Sequence, residues 1–541
     1  MLGRRVLFFA LVGAVGAGLT LLLIRVLPPG GWTVAEALIL AAFIGTAPWT
    51  GLCAANALVG FAILMGSRNP PRAVFPAWRD DGPITLRTAI AVTVRDEDMA
   101  TVLPPLRRLL AELDAAGQGA RFAAFILSDT QDVAAAAAEE AAITAPIRYR
   151  RRAENTGFKA GNVMEFLDHH ADGFDLMLML DADSTMSAEA VLRMVRAMQA
   201  DPRLGIVQQL IVGRPATSAF PRLFQFGMRA GMRSWATGQA WWQGDDGPYW
   251  GHNAMIRIAP FRAHCRLETL PDGSAILSHD QVEAVRMRAA GWKVRALPDE
   301  SGSLEGNPPA MPEFLRRDLR WLMGNLQYRH LLVLPGIRPM GRWQLLQAIL
   351  LFAGAPLYVA MLALAALNGA TGGAEAFPRG AALALTLAWL AALYAPKLLG
   401  YAEVLLKPAL AARYGGRGAF LKGAAAEFAF TLLLDPVSSF NKTLFMAGLP
   451  FGARMGWAPQ NRADRGVGWR EAARMLWPHT LFGLAVFTGF AMTSWLAVAW
   501  ALPFAGGLLV AIPFCAITAD PIFSAWLRNA RIAATPEELE P

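Results

Sequence analysis

Apolar residues follow two different patterns along this chain. Near the start and through the C-terminal part they form long runs almost free of charge. Between these they form short runs separated by polar segments of helical period. Residues 6–24 and 34–65 are two long runs joined by a short Pro/Gly loop, and each is long enough for a bilayer span, which takes about 20 residues. No small-residue cleavage site separates them, so the pair reads as two transmembrane helices rather than a leader. Arg4-Arg5 before the pair and Arg68, Arg72 and Arg79 after it place both outer ends in the cytoplasm. Long apolar runs resume at 344–367, 381–401, 423–450 and 480–518. The last holds Pro503 near its middle and reads as a two-span hairpin. The run 423–450 contains Asp435-Pro436 and Asn441-Lys442, with basic residues on both flanks. The positive-inside rule returns it to the side it left, so it is expected to be a tight re-entrant pair of short helices or a helix lying in the interface. The expected organisation is two transmembrane helices in 1–69, a cytoplasmic domain at 70–342, a transmembrane bundle at 343–527 and a short acidic tail at 528–541. That gives six full spans and one partial element, or eight if that element crosses, with both termini cytoplasmic.

The central segment alternates in period. "TAIAVTVR" (88–95), "RFAAFILSD" (121–129), "IRYRR" (147–151) and "DLMLMLD" (175–181) read as strands, the last buried on both faces. Helical spacing follows each, and Ser187 is placed to cap "SAEAVLRMVRAMQ". Alternating β and α predicts a doubly wound, mostly parallel sheet with ligands at the carboxyl ends of its strands. The fold class is therefore a polytopic α-helical membrane protein with an inserted, doubly wound α/β domain.

Composition agrees with the membrane reading. The chain is 55% hydrophobic and 17% charged over 541 residues, too apolar for a soluble protein of that length. Its net charge of +8 would suggest nucleic acid in a soluble protein; here it is assigned to loops on the cytoplasmic side, and no nucleic-acid partner is expected. Cys53, Cys265 and Cys515 are too scattered for a metal or disulfide framework.

Polar residues cluster at the strand ends: Arg95-Asp96-Glu97, Ser128-Asp129 and Asp181-Ala182-Asp183. A single strand-end Asp is often a turn residue or a helix cap. Three such ends meeting on one edge point to a site. Asp181 and Asp183, two residues apart in extended chain, can face the same ion, and their hard oxygens suit Mg²⁺ or Mn²⁺. No Gly-x-Gly-x-x-Gly follows the first strand, so a dinucleotide fold is unsupported.

Asp129, "NTGFKAGN" (155–162), Asp181-Ala182-Asp183, "SHD" (278–280) and "RDLRW" (317–321), set between membrane segments, resemble the processive inverting glycosyltransferases that include cellulose and hyaluronan synthases. "DADSTMS", "YWGHNAMIR", "LSHDQVEA" and "RRDLRWLMGNLQ" are more narrowly similar to the glucan glucosyltransferases of osmoregulated periplasmic glucan synthesis. The likeness covers about residues 85–335 by motif. It implies a GT-A-like fold for the α/β domain, UDP-glucose as donor, a β-1,2-glucan as the growing product, and export across a bacterial inner membrane. It also implies an acyl carrier protein and a periplasmic glucan-processing protein as partners, beside membrane lipid. By this resemblance Arg95, Asp96 and Asp129 hold the uridine, Lys159 lies near the donor, and Asp280 is the general base. A cap of the helix after it is the alternative reading of Asp280. Arg317 and Arg320 offer guanidiniums to a diphosphate and Trp321 a flat face to a sugar ring. An interfacial helix explains the same three residues without chemistry. "WWQGDDGPYWGHN" (241–253) has the aromatic and polar density of a sugar-binding loop, and Trp250, Gly251, His252 and Asn253 are its acceptor-site candidates. His169 and His170 are expected to be solvated. One motif departs from the family: Arg317 stands where Gln-x-x-Arg-Trp has Gln. Familiar relatives also carry long extensions at both ends that this sequence lacks, so regulation housed there is not expected.

Overall fold

In the computed structural model, residues 1–373, 378–455 and 462–540 are described. Among these residues, ten strands form two sheets. They are β1 (Thr88–Val94), β2 (Phe122–Ser128), β3 (Arg148–Arg151), β4 (Leu176–Asp181), β5 (Thr185–Met186), β6 (Leu204–Gln209), β7 (Val212–Gly213), β8 (Ala254–Arg257), β9 (Lys293–Leu297) and β10 (Ser303–Glu305). Seven of them make one sheet in the order β3-β2-β1-β4-β8-β6-β9, parallel except for β8, which runs against both of its neighbours. The doubly wound expectation holds, with that one antiparallel insertion. A small sheet, β5-β10-β7, closes over the carboxyl end of β4.

The local reasons are visible in the sequence. β1 and β4 are buried along almost their whole length. Helices cover both faces: Met99–Ala115 and Ala188–Ala200 on one, Phe158–His169 and Asp280–Ala289 on the other. The Ser187 side chain accepts from the Ala190 amide, so it caps its helix as expected. Parallel register sets the functional edge. Val94 pairs with Ser128, and Thr93 with Asp181, so the residues following β1 and β2 and the last residue of β4 share one level.

Among the described residues, four helices are long and apolar enough to cross a membrane: Leu2–Val26, Val34–Gly66, Pro339–Ala370 and Trp469–Thr493. Two bent pairs bring the total to six if each counts as one span, Arg379–Leu393 with Ala395–Leu406 (74°) and Trp495–Leu509 with Ala511–Thr518 (60°). Three details differ from the sequence expectation. The run 381–401 is broken at Tyr394, where Pro396 opens a new helix. In 480–518 the turn falls at Ser494, whose side chain caps the next helix, while Pro503 lies inside that helix. The run 423–450 belongs to one unbroken helix, Arg417–Gly448, not to a pair of short ones. Arg413 before this helix pairs with Glu300, and Arg465 after it pairs with Glu313 at 2.8 Å, so both flanks touch the sheet-domain side.

The helix Ala219–Gln243 joins the two parts. Gly60 and Gly238 allow it to cross the helix Val34–Gly66 with almost no space between backbones: a Cβ on Gly238 would fall 2.0 Å from the Asn56 carbonyl. Trp242, fully buried, stacks on Phe8 at 4.1 Å and donates to Asn56 Oδ1 at 2.9 Å. Trp242 is thus a fastening between domain and membrane helix, which corrects its inclusion in a sugar-binding loop. Arg5 pairs with Asp246 at 2.5 Å, and the tail returns to the same helix through Glu538 on buried Arg222 at 2.6 Å and through Glu537 on Arg229. Both ends of the chain therefore lie on the sheet-domain side.

Candidate active site

Three carboxylates crowd the shared strand-end edge, each facing a cation. Asp129 is held by Arg152, which donates to both its oxygens at 2.6 and 2.8 Å. The same guanidinium donates to the carbonyls of Thr156 and Phe158, so it also shapes the "NTGFKAGN" turn that carries Lys159. Lys159 pairs with Asp181 Oδ1 and donates to the Gly251 carbonyl at 2.8 Å. Asp183 pairs with Arg462, which also reaches Glu97 Oε1 at 3.2 Å. Burial alone would raise Asp181, but the Lys159 ammonium, aided by His252 and Arg462, holds it well below the usual carboxylate range. Glu97 shifts the other way: burial and the charges of Asp183 and Asp181 lift it, with Arg462 opposing. At the mouth, Asp96 adopts a left-handed φ of 57° and its amide donates to Thr130 Oγ1 at 2.7 Å, while Arg95 Nε lies 4.0 Å from the Asp96 carboxylate.

The opposite wall begins at Gly251, with φ of +85°. Buried Gln208 pins the residues on either side, accepting from the Trp250 amide at 2.7 Å and donating to the His252 carbonyl at 2.9 Å. A Cβ on Gly251 would lie 3.7 Å from Lys159 Nζ and 3.8 Å from Asp280 Oδ2, so this glycine sits between the two side chains. Asp280 is the first residue of its helix and His279 occupies the cap position without a side-chain cap bond. The simple capping alternative for Asp280 is thereby removed. His252 bridges Ser184 Oγ at 3.3 Å and Glu305 at 3.2 Å. Asn253 is fully buried and donates to Ser303 Oγ at 3.0 Å. It braces β10 from behind, which corrects its expected place on the acceptor surface.

The helix Met311–Gln327 closes the third side. Gly324 lets it press on the "SHD" turn, since a Cβ there would meet Ser278 Oγ at 2.2 Å. Buried Arg317 lies 4.6 Å from the Trp321 ring, and Trp321 is exposed. Burial pulls Arg317 below the usual guanidinium range, against the charges of Glu305, Asp318 and Asp183. Arg320 is lowered by burial and then by Arg317 and Arg462. Arg462 pairs with Asp183, Arg317 feels the charge of Asp183, and Arg320 feels the charges of both guanidiniums, an arrangement of like charges suited to an anion. His169 and His170 are exposed, as expected.

Arg462, Arg152 and Glu305 were not anticipated. Arg462 reads in sequence as one of several basic residues flanking an apolar run, and Arg152 as part of an edge strand; only the fold brings them to the carboxylates. For a divalent cation the donor chemistry fits. Asp181 and Asp183 supply hard oxygens at one strand end. Among the described residues no group of three or more His, Cys, Asp and Glu side chains forms a ligand cage. Two carboxylates completed by substrate phosphates and water is the usual arrangement for Mg²⁺.

Comparison with known proteins gives the family. A family model described as "Glycosyl transferase family group 2" matches residues 176–399. The glucans biosynthesis glucosyltransferase H of Rhodopseudomonas palustris is 32% identical over 573 residues, covering 99% of this chain and 78% of its own. That of Caulobacter vibrioides is 32% identical over 95% of this chain and 81% of its own, and that of Vibrio cholerae 31% over 94% and 74%. A solved mannosyltransferase from Pyrobaculum calidifontis, in complex with GDP-Man and Mn²⁺, overlaps 65% of this chain and 98% of its own at 18% identity, with a TM-score of 0.41. Identity sustained along nearly the full length, on a GT-A-like domain set among apolar helices, places this chain in the glucans biosynthesis glucosyltransferase H family, as a glycosyltransferase of glucan synthesis.

Proposed function

We propose that the chain transfers glucose from UDP-glucose, with inversion, to the growing end of a β-1,2-glucan and exports that glucan through its own helices. The observation that carries the reading is the cluster of Arg317, Arg320 and Arg462, tied to the Asp181–Asp183 edge through the Arg462–Asp183 pair. It suits a donor whose leaving group is a diphosphate. Uridine lies against Asp129, Asp96 and Arg95, and Lys159 stands beside the sugar. Asp181 and Asp183 would hold Mg²⁺ or Mn²⁺, which offsets the charge that gathers on the departing diphosphate. Asp280 takes the proton of the acceptor hydroxyl as that oxygen bonds to the anomeric carbon and the carbon–diphosphate bond breaks. The free α-linked donor thereby becomes a β linkage, and UDP leaves. Trp321, Trp250 and His252 face the acceptor chain.

Membrane placement follows the same logic. The sheet domain, about residues 70–342, is cytoplasmic in an inner membrane, and the helix Arg417–Gly448 lies along the interface, since both its flanks return to that domain. Away from the domain, a cavity of about 700 Å³ is lined by Tyr358, Trp389 and Trp500 with Glu36, Asn368 and Thr493. Aromatic faces with polar groups suit a passing glucan. The test is purified protein with radiolabelled UDP-glucose and Mg²⁺ or Mn²⁺, followed by linkage-specific glucanases. A product cut by a β-1,2-glucanase and resistant to a β-1,4-glucanase supports the reading. A cellulase-sensitive product, or none, overturns it.

A further inference from the structure

Behind Asp280 lies a buried acid–base pair that the transfer step does not use. His279 Nδ1 and Glu283 Oε2 are 2.8 Å apart, one turn along the same helix, with Glu283 almost wholly buried. Their surroundings are closed and mostly uncharged. The Cys265 thiol contacts the Glu283 carbonyl at 3.5 Å, and the Tyr328 hydroxyl donates to the Ser278 carbonyl at 2.9 Å. Tyr249 packs in from the Gly251 loop, fully buried. The charges acting on the pair are the Asp280 carboxylate on the same helix and the Lys159 ammonium from the helix Phe158–His169. Arg286 acts on neighbouring Cys265. A backbone carbonyl would be enough to orient an imidazole. A buried carboxylate costs far more to place there and does more than orient, because it fixes the charge the ring carries.

We infer that Glu283 and His279 form a positioning pair for Asp280: Glu283 holds the imidazole, and the charge on that imidazole sets the upper end of the pH range in which Asp280 serves transfer. This rests on Asp280 being the base. Burial opposes charge on His279, but the Glu283 carboxylate and its hydrogen bond lift the ring above the ordinary imidazole value. Burial lifts Glu283 above the ordinary carboxylate value. The pair therefore holds its shared proton to higher pH than a free imidazole would. When pH rises far enough to remove that proton, the imidazole loses the positive charge it holds one residue from Asp280. Donor capture then weakens, and the alkaline limb of kcat/KM falls.

Glu283→Gln keeps the size and an acceptor oxygen but cannot hold the ring cationic. Its alkaline limb should move toward acid by about one pH unit or more, the size of shift a lost charge partner produces. His279→Gln removes the titrating ring and should flatten the same limb. Both are measured as pH profiles of kcat/KM on full-length protein, with UDP binding by calorimetry as the check on folding. A variant that binds UDP and keeps the wild-type limb, at whatever overall rate, overturns the inference, because a purely structural role lowers rate without moving the profile. If Glu283→Gln fails to bind UDP, His279→Gln decides alone. Asp280→Asn separates the two levels: normal transfer by that variant sinks the base assignment itself, whereas an inactive Asp280→Asn beside an unshifted Glu283→Gln sinks only this inference.

Discussion

Arg462 stands where a cation would otherwise meet Asp183, and replacing it with glutamine tests whether that contact competes with metal. The guanidinium pairs with Asp183 and reaches Glu97 at 3.2 Å. At that distance and an effective dielectric of about 20, one unit-charge pair attracts by about 5 kcal/mol. Much of this is offset by desolvation of a group as buried as Arg462. A net remainder of about 1.5–3 kcal/mol is usual for a charge-assisted hydrogen bond. If a divalent cation must displace Arg462 to reach Asp183, Arg462→Gln should bind Mn²⁺ about 10–150-fold more tightly in the absence of donor. The assay is Mn²⁺ titration of purified protein by calorimetry, with the thermal midpoint of the detergent-solubilised variant as the check on folding. Unchanged or weaker Mn²⁺ binding by a folded variant would refute the competition and remove Asp183 from the cation site.

Asp183→Asn should abolish transfer even at saturating metal, since an amide is a poorer ligand and carries no charge to offset the cation; near-wild-type rates would exclude it. Lys159→Met tests the depressed Asp181. A carboxyl lowered in the folded state stays ionised through its ordinary titration range and is protonated only as pH falls through the lowered value. Wild-type metal-dependent UDP binding should therefore persist in acid that already weakens it in Lys159→Met, and identical acid limbs in binding titrations would contradict the pairing. Trp242→Ala removes a fully buried side chain stacked on Phe8 and should cost about 3–5 kcal/mol; the thermal midpoint of the detergent-solubilised protein reports it, and an unshifted midpoint would deny the fastening. Tags placed after the helix Arg417–Gly448 and at the C-terminus should both be protected in right-side-out vesicles, and accessibility of either would reverse the topology.

Local pattern made the strand-end carboxylates legible. Asp129, Asp181 and Lys159 each follow from a strand ending or a turn opening a helix, and parallel register then brings them level. The order of short motifs made Asp280 and the Arg317–Trp321 helix legible too. Partners that arrive from far along the chain were not. Arg462 comes from a connection beyond a 32-residue helix, and its role depends on that helix returning to the domain. Glu305 reaches His252 only because β10 folds across β5. Density of aromatic residues misled for Trp242 and Asn253, because a sequence window records which groups are near in the chain and not which face is covered. Breaks at Tyr394 and Ser494 were missed for a related reason: an apolar run shows where a helix can cross and says little about where it bends.

The central claim is that Asp280 removes the acceptor proton at an edge that has already bound the donor. Asp280→Asn keeps size and hydrogen-bonding shape but cannot take a proton. UDP affinity by calorimetry and initial transfer rate from UDP-glucose, measured on the same purified variant, should separate cleanly. Affinity stays within a few-fold of wild type, while the rate falls by about 10²–10⁴-fold and is not rescued by added metal. Normal affinity with a normal rate would contradict the account.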